Sequence, residues 1–315
     1  MSPDPLVLAA RHGPWVMVGG LVAGLALPGL AAPMLPFLPW LVGLLLFLAA
    51  FRIEPAQAVS RIDPEYRLAR RLAPMLLGVL ALQTVLPLAV LGTGHALGIA
   101  GSALMLALIV LTSAPSISGN PNIALMMGGS PAAGLRLLIL GTLALPLTMI
   151  PVFLLVPGLG GFATVLTAVG KLLAIIVTTA GAGLAARRLL LPDPAPRTRA
   201  RLDGVSALAL AVFVVALMPS VSAAFLRTPP IAAGWLAAAL AANFALQAGT
   251  FALLRRRIDR DTAIALSLAA GNRNLAVFLV ALPLDITAPI VIFIGCYQIP
   301  MYLTPLVMRR LYARP

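Results

Sequence analysis

The chain has 315 residues, of which 61% are hydrophobic and 10% charged, with a mean hydropathy of +1.05 and a formal net charge of +13. So little polar sequence cannot cover a soluble domain of this size. The basic excess is not a nucleic-acid footprint either, because the arginines gather in short clusters between apolar runs.

The apolar runs are long and continuous and do not alternate, which excludes a β-barrel. They suit helices of about 20 residues crossing a ~30 Å hydrocarbon core. Ten runs follow one another, at 14–31, 34–51, 73–92, 97–129, 131–156, 163–187, 204–222, 230–254, 262–283 and 286–308. The first follows Arg11 and passes at once into the second, so it is expected to stay as a span and not to be removed as a leader. The third carries Gln83 just ahead of Pro87. The fourth is too long for one straight helix and contains Pro115 and Pro121, so it should be broken. Ser116 and Ser118, beside Pro115, are placed to rebond carbonyls that a kink frees. Lys171 in the sixth run is expected to snorkel toward headgroups. Residues 188–203, with Pro192-Asp193-Pro194-Ala195-Pro196, read as a polar linker. Asn243 and Gln247 share a face of the eighth run, being four residues apart. The tenth carries Tyr297, Gln298 and the single cysteine, Cys296, which cannot form an internal disulfide.

With ten spans and an inside N-terminus, 19 of the 22 basic residues fall on the cytoplasmic side and one, Arg227, on the other; Lys171 and Arg273 lie within spans. That asymmetry sets both the count and the orientation, with both termini cytoplasmic and the chain multi-pass in the cell (inner) membrane.

Two stretches repeat. Gly119-Asn120-Pro121-Asn122-Ile123-Ala124-Leu125 returns as Gly271-Asn272-Arg273-Asn274-Leu275-Ala276-Val277, and these copies hold four of the five asparagines in the chain. Pro131 and Pro283 each lie 12 residues beyond the glycine, and Pro146/Pro151 recur as Pro300/Pro305. The 152-residue offset covers five spans, an odd number, so the second copy is turned upside down. The chain therefore reads as an all-α membrane protein of two inverted five-span repeats, 1–157 and 158–315, with spans four and nine broken. Interrupted helices at equivalent positions of inverted repeats point to the binding site of a secondary transporter.

Within an unwound segment, Asn272 and Asn274 can both face one cavity, as can Asn120 and Asn122; on an intact helix neither pair shares a face. Pro115, Gly119, Pro121 and Gly271 are the residues expected to break the helices. Arg273 stands mid-span, where an arginine costs roughly 2.5–3.5 kcal/mol on insertion scales. All nine carboxylates fall in loops or at span ends, so its partner must be carbonyls at a break, amides or an anionic ligand. Gln83, Ser118, Asn243, Gln247 and Gln298 are further candidates for lining a substrate path. His12 and His95 are the only histidines and lie at span edges, and no nucleotide-binding motif is present, so neither a metal centre nor an enzyme is expected.

In Gln83 through Pro87, Pro115 through Ser130 and Gly271 through Ala281, the chain resembles the bile acid:sodium symporter family, part of a superfamily that also holds arsenite efflux transporters. The resemblance implies a core of spans 3–5 and 8–10, in which spans 4 and 9 cross at their breaks, and a panel of spans 1, 2, 6 and 7. It also implies that substrate binds between them and moves by an elevator-like displacement. Gln83 and Asn274 match the family's ion-site pattern. Ala269 stands where that pattern has a glutamate, Arg273 where it has a glutamine, Asn120-Pro121 where it has Ser-Asn, and Gly134 and Leu138 where it has hydroxyls. The arsenite branch carries a cysteine in its fourth span, whereas Cys296 is in the tenth.

The expectation is a transporter of a small organic anion that uses no cofactor, with the Arg273 guanidinium in the place of a bound sodium ion. A sodium-coupled symporter with an altered ion site and a non-transporting membrane sensor on the same fold are the alternatives. The partners expected are the anion and the lipid bilayer, with no nucleic acid.

Overall fold

A computed structural model of the chain describes residues 4–52, 66–159 and 161–313. Among these residues the protein is helical without a strand, and the one β-type pairing is a bridge between Ser116 and Arg273. A helix satisfies every backbone group within its own segment, which is what hydrocarbon demands. In chain order the helices are α1 Pro5–Arg11, α2 Gly13–Ala26, α3 Ala32–Phe51, α4 Ala73–Ala96, α5 Ala103–Ser113, α6 Asn120–Met126, α7 Pro131–Phe153, α8 Phe162–Leu190, α9 Pro196–Arg227, α10 Pro229–Leu254, α11 Arg260–Gly271, α12 Ala276–Ala281 and α13 Leu284–Val307. Seven are long and apolar enough to cross a bilayer, and the bent pair α1–α2 makes an eighth candidate. The chain is an all-α, multi-pass membrane protein. The acidic residues Glu54, Asp63 and Glu65, expected in a loop, lie outside the described residues.

The structure departs from the sequence reading in two stretches. The expected first span is not continuous: α2 ends at Ala26, a helical turn follows at Pro28–Ala31, and α3 opens with a 3-10 segment, Ala32–Phe37. The expected linker is mostly helix, because α9 begins at Pro196. Proline at the first helical position lacks an N–H that would be unpaired there anyway, and its ring presets the helical φ.

The helices gather into two compact units, Met1–Ile53 with Ala174–Ala237 and Glu54–Leu173 with Ala238–Pro315, so each unit draws on both halves of the chain. In the first unit, α2 packs on α9 through Gly20 and Gly24. A Cβ on Gly20 would stand 2.9 Å from the Ala211 carbonyl oxygen, and one on Gly24 would stand 2.8 Å from the Met218 Cβ. Small residues one turn apart let helix backbones approach closely in lipid, where dispersion must do the work that water does elsewhere. Ser222 Oγ adds a bond to the Leu25 carbonyl at 2.7 Å. Asp4 caps α1 and ties it to α9, accepting from Leu6 N at 3.2 Å and Arg201 Nε at 2.6 Å.

The second unit is centred on Val79 of α4, Leu137 of α7, Phe251 of α10 and Ile264 and Leu268 of α11, all buried. Besides a 3-10 segment within α13 at Ala288–Ile290, three irregularities of its helices lie together. In α4 a π-turn over Ala81–Val85 inserts a residue into the ladder, the gap between α5 and α6 spans residues 114–119, and that between α11 and α12 spans 272–275. These three irregularities carry the candidate site.

Candidate functional site

Residues 114–119 and 272–275 run antiparallel and bond to each other. Ile117 N donates to the Asn272 carbonyl at 3.1 Å, and Asn274 N donates to the Pro115 carbonyl at 2.8 Å, on either side of the Ser116–Arg273 bridge. Unwound backbone at membrane depth must be satisfied by protein or by water, and here each break satisfies the other.

Arg273 lies in this ladder and is 2% exposed. Its guanidinium reaches three carbonyls from three elements. Nε donates to Ala270 O in the last turn of α11 at 2.8 Å, Nη1 to Ala114 O at the end of α5 at 2.6 Å, and Nη2 to Leu82 O in the π-turn at 3.3 Å. Helix C-termini present unpaired carbonyls and the negative end of the helix dipole, and a π-turn also loosens the carbonyls along its length. The charge is thus held by backbone oxygens. Among the described residues, the ion pairs involve Asp4, Asp193 and Asp203, none of which pairs with Arg273.

The residue after Leu82 belongs to the same arrangement. Gln83 is buried, donates from Nε2 to Gly141 O on α7 at 3.1 Å and accepts from Thr148 Oγ1 at 3.4 Å. Gly141 makes room for it, since a Cβ there would sit 3.0 Å from Gln83 Nε2.

A second polar layer lies beside the α11 break. Asn243 Nδ2 donates to Gly271 O at 2.8 Å and lies 3.3 Å from both Asn272 Oδ1 and Tyr297 Oη. Gln247 Nε2 donates to Asn243 Oδ1 at 2.6 Å and to Thr304 Oγ1 at 3.0 Å, and Thr304 is 3.0 Å from Asn272 Oδ1. Ser267 and Tyr312 close the network from below, Ser267 on Gln247 O and Tyr312 on Gln247 Oε1. Gly271 permits it: a Cβ there would stand 2.6 Å from Asn243 O and would overlap Gln247. Its role is close approach of two helices, not a left-handed turn.

The first break is different. Ser113, Ser116 and Asn120 are buried, and their side-chain oxygens, together with Asn120 Nδ2, have no hydrogen-bond partner; nor does Asn272 Nδ2 across the ladder. Native proteins pair nearly all such atoms, so each bare one needs an explanation.

The structure therefore brings together Arg273, Asn272, Asn274, Asn243 and Gln247, with Gln83 one residue from the arginine's third acceptor. It does not bring in Asn122, which is exposed, or Gln298, whose side chain bonds to Ile294 O in its own helix at 3.3 Å; Ser118 is half-buried in the first break. The paired placement of Asn120 and Asn122 in an unwound segment is corrected: both lie in the first turn of α6. Pro121 is the reason, because it sits at the second helical position, where proline starts a helix and does not break one. Gly119 precedes α6 as its N-cap, and Pro115 lies inside the break. Thr304, Ser267 and Tyr312 were not anticipated. Thr304 is seven residues from Tyr297, two turns along one face, which is the signal that would have found it.

Among the described residues, no three His, Cys, Asp or Glu side chains come together to hold a metal. No family model and no curated protein matches the chain.

Proposed function

We propose that the protein is a secondary transporter of a small organic anion, working by alternating access, with ten spans in two inverted repeats and both termini cytoplasmic in the cell membrane. It is of the bile acid:sodium symporter type, with Arg273 as a tethered cation. On this reading α5–α6 and α11–α12 are the two broken spans, which with the eight candidates make ten.

The observation that carries the proposal is the set of bare polar atoms at the first break. Ser113, Ser116, Asn120 and Asn272 leave buried donors and acceptors without partners, at a cost of roughly 1–3 kcal/mol each. Around Asn243, by contrast, the side-chain amides of Asn243 and Gln247 both find partners. The polar end of a substrate would complete the bare atoms, one ladder rung from the Arg273 charge. The gathering of 54–173 with 238–315 into one unit supports a core built from both repeats.

A sodium ion does not fit where the resemblance would put it. The carbonyls of Leu82, Ala114 and Ala270 are already taken by the guanidinium, and a second cation beside it would meet like charge. No step of the transport cycle is assigned to sodium.

Uptake of radiolabelled carboxylates into proteoliposomes, with sodium or choline as the only cation, tests the reading. Uptake equal in the two salts, lost in Arg273→Gln, is the expected result. A requirement for sodium in the wild type would overturn the role given to Arg273, and binding without flux would indicate a sensor.

A further inference from the structure

Arg187, near the end of α8 in the first unit, has no counter-charge. It is 3% exposed, whereas Arg188 beside it lies open to the surface. Its Nε is buried without a hydrogen-bond partner, and the guanidinium joins no hydrogen bond or ion pair among the described residues. The described carboxylates of this unit are engaged elsewhere: Asp203 by Arg52, Asp4 by Arg197 and Arg201, and Asp193 by Arg199. A snorkelling arginine carries its charge out to water, and this one does not.

The packing of α8 on α3 sets where that charge sits. A Cβ on Gly43 would lie 3.4 Å from Thr179 Cγ2, and one on Gly183 would lie 2.5 Å from Phe47 O. Equal steps along the two helices mean that they run side by side in the same direction. Arg187 is one turn beyond Gly183 on the same face, so it is level with Phe51, where α3 ends. The negative pole of α3 is worth about half a charge, which leaves much of the arginine's charge unanswered. Measured along α8 from Phe162, Arg187 is roughly 38 Å away. That is past a ~30 Å hydrocarbon core and at the level of lipid headgroups. One turn back toward the middle of α8, Leu184 is exposed, as a side chain facing acyl chains would be.

We propose that Arg187 binds the phosphodiester of an anionic phospholipid, with an acyl chain lying along Leu184. The guanidinium presents paired donors that match phosphate oxygens. Arg188 adds a second positive charge at the surface, which favours a net-negative headgroup over a zwitterionic one. Free phosphate offers the same oxygens, but the depth of the site and the exposed Leu184 suit a molecule that also carries a chain. The site goes beyond the transport reading and does not depend on it.

The test is thermal melting of the delipidated full-length protein in detergent at constant ionic strength. It would be titrated with dihexanoyl-phosphatidylglycerol, dihexanoyl-phosphatidylcholine and inorganic phosphate. Phosphatidylglycerol should raise the melting temperature saturably, and the other two should need at least tenfold more or give no shift. Arg187→Gln should abolish the phosphatidylglycerol response, Arg187→Lys, which keeps the charge without the fork, should weaken it, and Arg188→Gln should retain it. Without lipid, Arg187→Gln removes an unmatched charge and no bond, so it should melt no lower than wild type; added phosphatidylglycerol should leave it the less stable of the two. Equal responses to the two lipids, inorganic phosphate as effective as phosphatidylglycerol, an undiminished response in Arg187→Gln, or a lower melting temperature for Arg187→Gln without lipid would each overturn the proposal.

Discussion

The two copies of the glycine–asparagine motif hold nearly the same residues and do opposite things. Gly271-Asn272-Arg273-Asn274 ends a helix and crosses a break with the Arg273 guanidinium on three carbonyls and Asn272 Oδ1 bonded, leaving Asn272 Nδ2 bare. Gly119-Asn120-Pro121-Asn122 begins a helix, with Asn120 buried and bare and Asn122 exposed. One position separates them. Arginine at 273 accepts the extended backbone of the ladder and pins it to three carbonyls, whereas proline at 121 fixes a helical φ and removes a donor. The lesson is that one copy is a clamp and the other is open to a ligand, although a repeat in sequence suggests twin sites.

Substitutions at paired positions put that contrast at risk. The largest effect is expected at the glycines. Gly271→Ala forces a Cβ onto the Asn243 carbonyl and should cost about 3 kcal/mol or more, read as loss of the folded fraction by size exclusion after heating. Gly119→Ala meets nothing closer than 3.7 Å and should stay within about 1 kcal/mol of wild type. Equal tolerance at the two glycines would erase the distinction. Next comes Arg273→Gln, which strips partners from Leu82, Ala114 and Ala270 and should destabilise by about 3 kcal/mol in thermal melts without ligand. An unchanged melting temperature would mean that the crossing holds without its charge. Asn272→Ala removes the acceptor shared by Asn243 and Thr304 and should cost about 2 kcal/mol. The smallest change in stability belongs to Asn120→Ala, which removes no bond and should move the melting point little while weakening substrate binding at least tenfold. If Asn120→Ala melts early and binds normally, the first break is structural and the second must hold the ligand.

Much of this was legible in the residues, for identifiable reasons. Apolar length alone set the class of protein, because lipid leaves few alternatives. Arg273 stood out because a mid-span guanidinium is costly, and Asn243 with Gln247 because their spacing puts both on one face. What stayed hidden was mostly backbone. Nothing in Leu82, Ala114 or Ala270 marks a residue whose carbonyl will hold a cation, since that depends on a π-turn and two helix ends meeting in space. The two glycines of the repeat looked alike because the letter does not say whether a helix is starting or stopping; Pro121 did say so, and it was read as a breaker. Gln298 misled in the other direction, since a polar amide within a helix can bond to its own preceding turn and face nothing. Gly20 and Gly24, one turn apart, were overlooked because their effect lies in what they leave out.

The ladder between the two breaks also has a bearing on biosynthesis. Ile117 N bonds to a carbonyl at position 272, and Pro115 O waits for the amide of Asn274, so the partners are made more than 150 residues apart. At about 5–20 residues per second, the first break exists for roughly 8–30 s before its complement leaves the ribosome. During that interval the nascent half carries unpaired peptide groups at a depth where lipid offers none in return. The first half is therefore an obligate intermediate and not a domain in its own right, and the polar bonds that finish it arrive only with the last third of the chain.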